Sequence, residues 1–214
     1  LFRLLGFKPP KYVHVSPIMK EDNGGRRKIS KRKDPEAAVR FFAEEGYPAD
    51  CVMEYLMTIA SSDYEDWRRR NPDAPRSAYP FNLKKMSPSG ALFDADKLND
   101  VSKNVIGRMD AETVTAAVLE WAAAYAPDFY ALLSRDPAYA RGIFSIDRGG
   151  PKPRKDLAKW ADAPDYAAYY FDESFSGAFE LPENIDPADA VAILQAYREV
   201  YDPSLDKQAW FDSV

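Results

Sequence analysis

Apolar residues recur at helical spacing through most of this chain. Val52, Tyr55, Leu56 and Ile59 share one face of a segment that Pro48 opens and that runs to about Ala60. Asp34, with Pro35 behind it, predicts a capped helix through PEAAVRFFAEEG, stopped by Gly46. Asp110 predicts another across AETVTAAVLEWAAAYA, and Pro127, Pro137 and Asp186-Pro187 each open one more. YEDWRRRN reads as a short Trp- and Arg-rich helix. Asp94 to Lys103 and Asn104 to Met109 read as two short helices, and Asp156 to Tyr170 as a further one. GGPKPR, residues 149 to 154, is a break, and residues 172 to 185 are a connection.

Only the N-terminal end departs from the helical period. Residues 1 to 7 resemble the last turns of a helix ending at Gly6. Tyr12 to Met19 alternates, with Val13 and Val15 on one face, and predicts a strand. Asn23-Gly24-Gly25 is a turn signal, after which Arg26 to Ser30 returns as the second arm of a hairpin. The expected fold class is mainly α, with one short hairpin at the N-terminal end.

With 214 residues and 46% hydrophobic content, the chain can bury a sizeable core as one or two domains. No apolar run approaches the length of a membrane span, and no signal peptide is legible. The chain opens without an initiator Met, which reads as the interior of a larger protein, and it reads as incomplete at its other end too. Its single cysteine, Cys51, lies in the apolar run CVMEYLMTIA and is assigned to the core; the absence of any possible internal disulfide favours a reducing compartment.

Charge changes the picture. The formal net charge of −5 argues against wholesale binding of nucleic acid, but the charge is segregated. Residues 20 to 33 carry seven cations against two acids, residues 141 to 160 six against two, and residues 161 to 214 two against twelve. The first patch surrounds one hydroxyl in Lys28-Ile29-Ser30-Lys31-Arg32. Lysines three apart on a turn can both reach one triphosphate, and a backbone N–H beside Ser30 adds a donor. Cations at that place stabilise the charge that gathers on departing pyrophosphate.

The ordered set LGFKPPKYVHVSP, KISKR, FFAEEGYPADCVMEYL and FDADKLNDVSK resembles the class I aminoacyl-tRNA synthetases, and among them the bacterial glutamyl-tRNA synthetases. These segments cover about half of the chain. The resemblance makes KISKR the second signature of an ATP site. Lys31 would contact the ATP phosphates during glutamate activation, with Lys28 also catalytic. Ser30, Ile29, Lys28 and Arg32 would complete the ATP-binding loop, and ATP would enter with Mg2+ as substrate.

The same resemblance implies three parts: the end of a Rossmann catalytic domain over residues 1–33, a helical stem-contact domain over 34–109, and a helical anticodon-binding domain over 110–214. Its partners would be the tRNA for glutamate, ATP and L-glutamate, with no membrane, and the protein would be a cytoplasmic monomer. The second basic patch would meet tRNA phosphates through Arg148, Lys152, Arg154, Lys155 and Lys159. Trp160 is assigned to the core. No metal ligand set is expected.

The family's His-x-Gly-His signature is absent, and the sole histidine, His14, is read as structural or as lining the site. The glutamate pocket would lie upstream, so this part is expected to be inactive alone. Glutaminyl-tRNA synthetase is the neighbouring alternative, but its anticodon region is built of β-barrels. A non-catalytic binding module with a decayed loop is the alternative outside the synthetases.

Overall fold

The computed structural model describes residues 1–86, 89–150, 152–175, 177 and 180–213. Pro151 in the predicted break, and Ser176, Ala178 and Phe179 in the predicted connection, lie outside the described residues, as do Ser87, Pro88 and Val214. The fold is mainly helical with one small antiparallel sheet. It divides into two compact units, Leu1–Ser174 and Phe175–Val214.

The first unit begins with turns over residues 2–6 that close on Gly6 (φ 74°). Strands β1 (Met19–Asp22) and β2 (Gly25–Lys28) pair with Asp22 opposite Gly25. The two residues between them, Asn23 (φ 50°) and Gly24 (φ 80°), both take positive φ. That geometry twists the two strands the right way for a two-residue hairpin, and an Asn-Gly pair adopts it at least cost. The predicted strand from Tyr12 is corrected: residues 11–18 form no ladder. Pro17 lacks an N–H to donate. Pairing starts where Met19 is flanked on its other side by Leu92, with Met19 N–H donating to Ala91 O and Phe93 N–H to Met19 O, both at 2.8 Å.

The helices follow: α1 (Val39–Glu44), α2 (Ala49–Ala60), α3 (Tyr64–Arg70), α4 (Ala95–Ile106), α5 (Ala111–Tyr125), α6 (Pro127–Arg135), α7 (Pro137–Ser145) and α8 (Ala163–Ala167). Asp110 caps its helix as predicted, and Asp94 and Asp136 cap theirs in the same way: the three carboxylates accept from the N–H of Thr113, Lys97 and Tyr139 at 2.7, 2.9 and 2.9 Å. Each such cap is worth about 1 kcal/mol. The two predicted helices over 94–109 are one, α4, because nothing at Asn104 interrupts the apolar face of Leu98, Val105 and Ile106.

Two other expectations are corrected. The helix expected from Pro35 is a 3₁₀ turn, Pro35–Ala37, then an extended Ala38, then α1. Asp34 makes no side-chain cap there, because its carboxylate is engaged elsewhere. The helix expected over 156–170 is reduced to a 3₁₀ turn at Trp160–Asp162, α8, and a further turn at Ala168–Tyr170. Lys159 is extended (φ −154°, ψ 163°), and the next residue, Trp160, donates its N–H to Gly46 O.

One core runs through the unit: Cys51, Ile106, Val114, Val118, Leu133, Ile143, Phe144, Leu157, Trp160, Ala163 and Ala167 are all buried. Trp160 and Cys51 are core residues, as the sequence predicts. Burial pushes the Cys51 thiol up to about 12. Within α2, Glu54 is buried and accepts two N–H groups of the Arg68 guanidinium, at 2.5 and 3.1 Å, and the Tyr64 hydroxyl at 2.7 Å. Arg68 also donates to the carbonyls of Asn71, Pro72 and Ala74 and lies 4.9 Å over the Trp67 ring. The Trp-Arg motif thus serves packing.

The second unit holds α9 (Pro187–Val200) and α10 (Lys207–Ser213). Asp186 accepts from Ala188 N–H, and Asp206 from Ala209 N–H, both at 2.8 Å. Tyr197 stacks on Tyr201 and meets Trp210, at centroid distances of 5.8 and 4.9 Å. No helix among the described residues is long and apolar enough to cross a membrane.

Candidate functional site

The signature loop follows directly from β2. Ile29 N–H donates to Ile18 O at 3.0 Å, which carries the hairpin ladder one residue past the strand. The Ile29 side chain lines an apolar cavity with Ile18, Phe42, Tyr55, Leu56 and Phe93, so the loop is anchored from below. Ser30 then turns the chain: its carbonyl accepts from Lys33 N–H at 3.1 Å and from Asp34 N–H at 2.9 Å. Lys28, Lys31, Arg32 and Lys33 stand exposed, and none forms an ion pair with a described residue. Ile29 and Ser30 are half-buried.

Asp34 organises this turn. Its side chain is 1% exposed. It accepts both terminal nitrogens of Arg27 at 2.6 and 2.7 Å, and the Ser30 N–H at 2.9 Å. Lys20 Nζ lies 3.6 Å away and also pairs with Glu36. The Arg27 guanidinium, and then the Ser30 N–H, hold the Asp34 carboxyl well below the usual carboxylate range. Sequence reasoning assigned Asp34 to a helix cap and Arg27 to the general crowd of cations. One signal was available: Asp34 is the sole acid between Asn23 and Pro35.

The second patch is less uniform than its composition implies. Asp147 (φ 50°) and Gly149 (φ 81°) reverse the chain on either side of Arg148 and turn its side chain inward. There it donates to the carbonyls of Phe144 at 2.7 Å, Ile106 at 2.8 Å and Met109 at 3.4 Å. Lys159 pairs with Glu45 and lies 5.7 Å from the Tyr47 ring centroid. Arg154 pairs with Asp156 at 2.7 Å but keeps nearly half of its side chain exposed. Lys152 and Lys155 are exposed and form no ion pair among the described residues. His14 is exposed on the irregular segment before β1. Among the described residues, no group of three or more His, Cys, Asp or Glu is placed to hold a metal ion.

Beyond the hairpin, the described residues contain isolated bridges and no further strand. The β-barrels that the glutaminyl alternative implies do not occur among the described residues.

No protein-family model matches the chain. Over its whole length it is 45% identical to 218 residues of the glutamate–tRNA ligase of Clostridium perfringens (strain 13 / Type A), which is 40% of that protein. It is 44% identical over 214 residues to the glutamate–tRNA ligase of Acetivibrio thermocellus, and 41% identical over 230 residues to that of Sorangium cellulosum. All of this chain aligns in both cases, against 39% and 40% of those proteins. The chain therefore spans about 40% of the length of these curated relatives. Its fold is similar to a glutamate–tRNA ligase from Elizabethkingia meningosepticum solved in complex with its amino acid, at a TM-score of 0.55 and 17% identity, over 99% of this chain and 42% of that one.

The relatives are aminoacyl-tRNA synthetases. More narrowly, the chain matches the C-terminal part of glutamate–tRNA ligases along its full length.

Proposed function

We propose that this chain is the part of a glutamate–tRNA ligase that supplies the ATP-phosphate loop and the helical tRNA-binding surfaces. One observation carries the reading. Four exposed cations, Lys28 at the end of β2 and Lys31, Arg32 and Lys33 in the hydrogen-bonded turn after it, stand together, and none is neutralised by a described acid. Such a cluster suits a polyanion from solution.

In the proposed reaction the glutamate carboxylate attacks the α-phosphorus of ATP, entering with Mg2+ as substrate, and pyrophosphate leaves. Lys31 sits against the departing phosphates, where charge rises toward the transition state, with Lys28 and Arg32 beside it. Ser30 and Ile29 hold the loop from its half-buried side. The 3′-terminal hydroxyl of the tRNA then attacks the glutamyl carbonyl of the adenylate, the acyl–phosphate bond breaks, and AMP leaves. Residues 34–109 would meet the acceptor stem and residues 110–214 would belong to the anticodon-binding part. Lys152, Lys155 and Arg154 are the exposed candidates for phosphate contact. Arg148 and Lys159, which have partners inside the fold, would act there through the shape they maintain. The glutamate and adenine pockets would lie outside this chain, so it would not catalyse alone. We place the whole enzyme in the cytoplasm as a monomer.

Lys31→Ala in the full-length ligase tests this. Glutamate activation should fall by roughly 100-fold or more, the scale of losing a preorganised donor to developing charge. The melting temperature should stay unchanged, because Lys31 is exposed and its side chain has no partner among the described residues. Wild-type activation in that variant would overturn the phosphate-loop reading.

A further inference from the structure

We propose that Arg27 and Asp34 form a latch that holds the phosphate loop in one geometry, so that both are positioning residues for glutamate activation. The proposal rests on the reading of the loop as an ATP-phosphate site. The geometry is reciprocal. Ser30 N–H donates to the Asp34 carboxylate at 2.9 Å, and Asp34 N–H donates back to the Ser30 carbonyl at 2.9 Å. Residues 30 to 34 are thereby closed into a ring, and Lys31, Arg32 and Lys33 project from its outer arc.

Arg27 ties that ring to the sheet. Its two terminal nitrogens grip Asp34, while its Nε donates to Asp22 at 2.6 Å. A single guanidinium therefore spans the start of the hairpin turn and the end of the signature loop. Lys20 on β1, 3.6 Å from Asp34, approaches the same carboxylate from the neighbouring strand. The ring is thus fixed to both strands.

The loop needs such a hold. Like charges on adjacent residues repel, and four exposed cations within residues 28 to 33 favour opening of the turn. A displacement of about 1 Å in a catalytic group can cost about 100-fold in rate. The residue types are also specific. A carboxylate accepts a guanidinium fork and a backbone N–H together, whereas an amide presents only one acceptor oxygen. A lysine at position 27 would bring a point charge and no fork. A glutamate at 34 would set the acceptor one methylene farther from the ring it closes.

The test uses the full-length ligase with Asp34→Asn, Arg27→Gln and, as reference, Lys31→Ala. Glutamate activation is followed by pyrophosphate exchange with tRNA present, and loop opening by the rate of trypsin cleavage after Lys31 and Arg32. We expect Asp34→Asn and Arg27→Gln each to lower kcat about tenfold or more, to leave the KM for glutamate within about twofold, and to speed cleavage of the loop. Arg27→Gln leaves Asp34 in place and carries the test if Asp34→Asn does not fold. Wild-type kcat in the latch variants with Lys31→Ala impaired would overturn the latch alone. A fall in kcat without faster cleavage would also overturn it, since the loop would not have opened. Wild-type kcat in Lys31→Ala would remove the phosphate-loop reading and the latch together.

Discussion

Trp160 donates its backbone N–H to the carbonyl of Gly46 at 2.9 Å, and the two residues pack so closely that a Cβ on Gly46 would lie 2.7 Å from the Cβ of Trp160. The indole of Trp121 blocks the other side, with its Nε1 2.9 Å from that same point and donating to Glu44 O. Gly46 also has φ +78°. Gly46→Ala should therefore destabilise the fold by about 2–4 kcal/mol, combining overpacking with left-handed backbone strain. Thermal or urea unfolding of the variant checks this, and an unchanged midpoint would contradict the close approach.

Acid should weaken the fold partly through Asp63. Lys85, then Tyr79 and Ser61, hydrogen-bond its carboxylate and lower it from 3.8 to about 2. A depressed folded-state value means that its contribution is present above pH 3.8 and is lost as pH falls toward 2. Asp63→Asn should flatten the stability profile over that window and leave its shape through neutral pH unchanged. A profile with the wild-type slope in the variant would remove Asp63 from the account.

The second basic patch should separate into two behaviours. Arg148→Ala deletes a half-buried donor to three carbonyls and should cost roughly 1–3 kcal/mol of stability. Lys152→Ala and Lys155→Ala should leave stability unchanged. If these lysines neutralise tRNA phosphates as proposed, that pair should weaken tRNA binding and make the slope of log affinity against log salt shallower, by roughly one for each phosphate left without its cation. A titration of the full-length ligase at several salt concentrations distinguishes these cases.

The periodic helices were legible because nothing competes with their local signals. α2 and α5 to α7 begin at or next to Pro48, Asp110, Pro127 and Pro137, where the sequence places their starts. The failures have tertiary causes. Asp34 carries every local mark of a helix cap, yet Arg27, seven residues upstream and across a turn, takes its carboxylate. Lys159 is extended because Gly46, more than a hundred positions away, accepts a hydrogen bond from the next residue, Trp160. The signature loop itself was legible as a string of residue types. What holds it in place was not, since Arg27 looks like one more cation in a crowd. Arg148 shows the same limit: composition counts its charge with the patch, and only the positive φ values at Asp147 and Gly149 turn it inward.

Arg148 also joins elements that the chain order keeps apart. Its guanidinium closes carbonyls at or just past the C-terminal ends of α4 and α7, helices separated by α5 and α6. Helix ends ordinarily fray independently, each on its own local equilibrium. Here one cation serves both, so fraying of either end leaves the other with an incomplete set of donors. The two termini become a single cooperative unit, and amide protection in the last turns of α4 and α7 should rise and fall together.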